Sequence, residues 1–111
     1  MKRIAAHRIC FSPEAIYNTS YVELSPDGEL LGVYPLIEEI AGTVFVNGIV
    51  LMAPVTSAAS AGEVTAQIKK AIADASELPL PALLEKTGMR GAPRLGEKYC
   101  LIFAEEFVKF L

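Results

Sequence analysis

The chain carries a single histidine, His7, and two cysteines, Cys10 and Cys100. One imidazole cannot build a multi-histidine zinc site, and a serine, histidine and acid triad would have to be assembled entirely around His7. Along an alternating strand His7 and Cys10 point to opposite faces, which argues against a shared metal. A site joining His7, Cys100 and a carboxylate is conceivable, but a strand histidine is ordinarily solvated or hydrogen-bonded. The acidic pairs Glu38-Glu39 and Glu105-Glu106 read as surface or sheet edge. Adjacent residues diverge in a strand and do not face each other in a helix, and a working acid and base need environments that split their pKa values. The stretch from Gly88 to Gly96, with Arg90 and Arg94 inside it and Lys98 just beyond, is the best candidate for binding an anion such as a phosphate or carboxylate. It lacks the Gly-Lys-Ser/Thr ending of a P-loop and does not join a strand to a helix start, so it reads first as a connecting loop. No residue is assigned a catalytic, cofactor or metal-ligand role.

These side chains need a scaffold, and the composition says which kinds are open. With 111 residues, 52% of them apolar and 21% charged, the chain fits one domain, residues 1–111, with enough hydrophobic material to close a core. Ten Lys and Arg against thirteen Asp and Glu give a net charge of −3 without a basic block, which argues against nucleic acid as a partner. Lys2 and Arg3 are followed by only three apolar residues before His7 and Arg8, so no export signal develops. The longest apolar run, Ile49 to Val55, is far short of the roughly 20 residues that cross a bilayer. A cytoplasmic protein with reduced, buried thiols is the expectation. Cysteine count alone leaves open one bridge between the two ends.

Strand patterning dominates. Arg3 to Phe11 is apolar and partly β-branched, and Ser12-Pro13 stops it. Tyr17 to Leu24 leads into Ser25-Pro26-Asp27-Gly28, where proline pre-sets φ and glycine accepts a left-handed conformation, and Glu29 to Val33 then returns as the second arm of a hairpin. Pro35 ends that arm or places it at an edge. Thr43 to Val46, the dipeptide Asn47-Gly48, and Ile49 to Met52 spell a second hairpin, because Asn-Gly favours the type I′ turn. A helix is expected over about 60–76, with Ser60 and Glu63 at capping-box spacing and a stripe of Val64, Ile68 and Ile72 facing the sheet. Gln67, Lys70 and Asp74 take the opposite side. Pro81 suits the first turn of a short helix over about 81–87, closed by Gly88. Lys98 to Phe103 is a last core strand, and residues 104–111 are ambiguous.

The strand order resembles the start of the amidohydrolase superfamily of metal-dependent hydrolases. Asp27-Gly28-Glu29-Leu30-Leu31-Gly32-Val33 is similar to its D-G-x-I-x-x-I phrase, and Gly48-Ile49-Val50-Leu51-Met52-Ala53-Pro54 to its G-x-x-x-x-P-G phrase. Arg94-Leu95-Gly96-Glu97-Lys98-Tyr99-Cys100-Leu101-Ile102-Phe103 looks like the late phrase that ends in A-D-L-V-x-x-D. In that family the two terminal pieces form a small β-sandwich, the composite domain, with the catalytic barrel inserted between them. Here forty residues separate Pro54 from Leu95, far short of the roughly 200 a barrel needs. The resemblance implies a composite-like domain with a helical insertion at about 56–88 in place of its catalytic half. The metal-binding H-x-H phrase is missing too, since Val55-Thr56-Ser57-Ala58 stands where it should begin. No residue inherits a ligand role.

The expected fold is therefore mainly β, a small sandwich or rolled sheet of about six or seven strands with one longer and one short helix. The strands around Ile4 to Phe11 and Lys98 to Phe103 are expected as neighbours, bringing Cys10 and Cys100 into one region. The expected function is non-catalytic: a structural or protein-interaction domain without cofactor, whose partner is most simply a second copy of itself. The alternative is a small-molecule or anion-binding module, or a minimal hydrolase, using Arg90, Arg94, Lys98 and His7.

Overall fold

A computed structural model describes residues 2–38, 42–55, 61–74 and 79–104. The protein is mainly β, with two helices. Its strands are β1 (Lys2–Ser12), β2 (Ala15–Leu24), β3 (Leu30–Pro35), β4 (Thr43–Pro54) and β5 (Tyr99–Ala104). Helices α1 (Ala61–Asp74) and α2 (Leu80–Thr87) lie between β4 and β5 in sequence. The five strands form one sheet in the order β3-β2-β1-β4-β5.

The first hairpin forms as its turn residues dictate. Gly28 takes φ +87° and donates its N–H to the Ser25 carbonyl at 3.0 Å, and the Ser25 hydroxyl accepts the Glu29 N–H at 3.0 Å. The second expected hairpin does not exist. Val46 pairs with Ala6 and Ile49 with Arg8, so Asn47 and Gly48 sit inside one continuous strand that runs parallel to β1. Three residues of β4 advance there against two of β1, which makes the site a bulge, and Gly48 at φ +143° is far from the turn value near +80°. The pairing with β1 outweighs the local Asn-Gly preference, and what reads as two strands becomes one.

The sheet curls until its ends meet. Leu30 donates to the Glu97 carbonyl at 2.9 Å, Gly96 to the Leu30 carbonyl at 2.8 Å and Tyr99 to the Gly28 carbonyl at 3.1 Å, joining the start of β3 to the approach to β5. Inside this roll lies one core, formed by Ile4, Ala6, Ile9, Phe11, Val22, Leu24, Leu30, Val50, Met52 and Tyr99. A second core lies on the outer face, where Ile68 of α1 and Leu83 and Leu84 of α2 cover Cys10, Ile49, Leu51, Ala53 and Ile102. Val64 packs beside Ile68, as the stripe requires, and Gln67, Lys70 and Asp74 are exposed. The side chain of Ile72 and the capping residue Ser60 lie outside the described residues, as do Glu39 and positions 105–111 with Glu105-Glu106. The short helix forms behind Pro79 and Pro81 and ends at Gly88, whose φ of +78° is the left-handed cap glycine permits.

Two juxtapositions differ from the sequence reading. The first and last strands share the sheet, but β4 lies between them. Cys10 is opposite Leu51, and Cys100 is opposite Ala53 on the far side of β4. Both thiols are free and on the outer face, two strand spacings apart across the sheet, roughly 9–10 Å, and offset by two residues along β4, beyond the ~7 Å that a disulfide can bridge. The second difference is the face of His7. The inward set of β1 passes from Ile4 and Ala6 to Ile9 and Phe11, a step of three, so His7 and Cys10 both face outward. Beside this switch, on β2, Thr19 holds φ +43°, the one positive φ outside glycine among the described residues. A β-branched residue takes that conformation only where surrounding pairing enforces it.

Candidate functional site

The residues expected to bind an anion have different neighbours. Arg94 is exposed and pairs with Glu97 at 3.6 Å, while its backbone N–H donates to the Tyr99 hydroxyl at 3.0 Å. Lys98 bridges Glu29 through the backbone at the seam of the roll. Arg90 stands elsewhere, on the rim of an open groove of about 330 Å³ between α1, the end of α2 and the end of β4. His7 lies on the other side of the sheet's outer surface, its ring edge-on to Phe45 at 5.2 Å. Among the described residues no group of three or more His, Cys, Asp and Glu side chains is disposed to hold a metal ion. Cys10 is buried, and loss of solvation pushes its thiol up to about 12, with only a partial counter-effect from the Arg8 charge. Such a thiol is neither nucleophile nor ligand at neutral pH.

A different set of residues comes together, and it was not legible as a motif. Pairing registers put Tyr34 of β3 opposite Tyr21 of β2, Tyr21 opposite Ala5 of β1, and Ala5 opposite Phe45 of β4. These four residues form a row across four strands on the outer face. The two tyrosine rings lie tilted at 5.3 Å, and Tyr34 covers Gly32, where a Cβ would overlap its phenol. Ala5 is fully buried between its neighbours, whereas Tyr34 and Phe45 remain 42% and 49% exposed. The helices cover the outer face around Cys10, Ile49, Leu51, Ala53 and Ile102, and among the described residues none of that helical cover reaches this row. Arg3 and Glu23 lie one pair along on the same face, with Arg3 Nε donating to Glu23 Oε1 at 3.4 Å. The result is an aromatic strip edged by one cation, one anion and the His7 ring.

Such a strip has the makings of a binding surface. Aromatic rings bury large apolar area in fixed geometry, and the polar tips of the tyrosines accept a wet rim. The signal for it was present in the sequence as alternation, Ala5 with His7, Tyr21 with Glu23, and Phe45, but register alone reveals that these positions form one row. No helix of the described residues is long and apolar enough to cross a membrane. Neither protein-family models nor curated proteins match the chain.

Proposed function

We propose that the protein is a non-catalytic interaction domain that pairs with a second copy of itself through the aromatic row. The observation that carries this reading is the strip of Tyr34, Tyr21 and Phe45 on a sheet face that, among the described residues, the two helices cover only in part. Two large aromatic residues about half exposed on one face mark an interaction surface more than isolated apolar residues do. The charge pattern favours self-pairing. Arg3 and Glu23 flank the row with opposite signs, so a two-fold axis through it sets Arg3 of one copy against Glu23 of the other.

Light scattering on the eluting peak of a size-exclusion column tests the proposal. The expected result is a dimer mass whose share rises with loading concentration. Phe45→Glu, which puts a charge at the exposed end of the row, is expected to shift the equilibrium toward monomer by at least about tenfold, the equivalent of ~1.4 kcal/mol. A wild-type monomer at millimolar concentration overturns the reading.

A further inference from the structure

We infer that the groove behind the helices is a binding site for a small aliphatic carboxylate. Its floor is apolar, built by Pro54 at the end of β4, Val64 and Ile68 of α1, and Met89, while Gln67 and Arg90 supply the polar rim. The volume of about 330 Å³ is at the small end of ligand sites, which suits a short chain over a ring system or a nucleotide. Charge selects the head group. Among the described residues Arg90 is the one charged member of the lining and none is acidic, and a guanidinium fork matches a carboxylate through two parallel hydrogen bonds.

A cation just past a helix also complements that helix's negative end, and this competing role of Arg90 must be weighed. The end of α2 is already served by its own chain. The Thr87 hydroxyl donates to the Leu84 carbonyl at 2.6 Å, Gly88 N–H donates to the Glu85 carbonyl at 3.2 Å, and Lys86 stands in the last turn. Arg90 is exposed and lines the groove, next to the buried Met89. An acid with a short alkyl tail satisfies both parts of the lining, apolar body on Met89 and Ile68, carboxylate on Arg90. This site is separate from the aromatic row.

Titration of the ¹⁵N-labelled full chain with sodium hexanoate, and in parallel with 1-hexanol, tests the assignment. Hexanoate is expected to produce saturable amide shifts centred on Val64, Gln67, Gly88 and Arg90, and hexanol to bind at least about tenfold more weakly, as loss of a charge-assisted pair implies. Arg90→Gln removes an exposed side chain, and its amide spectrum reports whether the fold is retained. This variant is expected to bind hexanoate no better than hexanol. Absence of saturable shifts, equal affinity for acid and alcohol, or undiminished hexanoate binding by Arg90→Gln would each overturn it.

Discussion

Cys10 illustrates how burial alone removes a residue from chemistry. Its thiol is pushed up to about 12 from an ordinary 9.0 because the charged form has lost its water beneath α1 and α2. Unfolding lets the thiol ionise near its ordinary value. Between about pH 9 and 12 the unfolded chain therefore holds fewer protons than the folded one, and stability falls as pH rises through that window, while below it the contribution is intact. Urea midpoints measured at pH 8 and pH 10 are expected to drop further for wild type than for Cys10→Ala. An equal drop in the two proteins contradicts the assignment. Cys100 differs, being partly exposed with Thr65 Oγ1 donating to its Sγ at 3.8 Å. It is the thiol expected to meet a labelling reagent first.

The elements divide into those whose instructions are local and those set by distant partners. The turn from Ser25 to Gly28, the start of α2 at its prolines and its stop at Gly88 were all legible, because each depends on the φ preference of residues within the segment itself. The Asn47-Gly48 dipeptide misled because a parallel partner, forty residues away in sequence, absorbs it as a bulge. The exchange of faces near His7 was equally invisible, since alternation assumes a regular strand and Thr19 shows that β2 is not regular there. Of the candidate site, Arg90 was found but its companions in the groove were not, for those come from β4 and α1, while Arg94 meets Glu97 three residues on and Lys98 bridges the distant Glu29. The helix layer offers a test at this scale. Leu84 is fully buried in the outer core, so Leu84→Ala is expected to cost about 2–5 kcal/mol, read as a lower urea midpoint at unchanged slope. A cost under ~1 kcal/mol would mean that α2 is not packed as described.

At the scale of the molecule, a rolled sheet buries its inner face in itself and two helices seal part of its outer face. Among the described residues the strip from Tyr34 to Phe45, with Arg3 and Glu23 alongside, lies outside that helical cover. A two-fold pairing through that strip makes each charge face its opposite on the other copy, and this symmetry can be interrogated by exchanging the charges one at a time. The Arg3–Glu23 pair is partly buried and meets at 3.4 Å through one contact, and thermal unfolding of each variant checks that the fold is retained. Sedimentation equilibrium of Arg3→Glu alone, Glu23→Arg alone and their equimolar mixture is the most direct measurement. Each variant is expected to be monomeric by itself through like-charge repulsion, and the mixture to recover dimers at wild-type strength. Variants that associate as well alone as mixed, or a mixture that stays monomeric beside a dimeric wild type, would contradict the account.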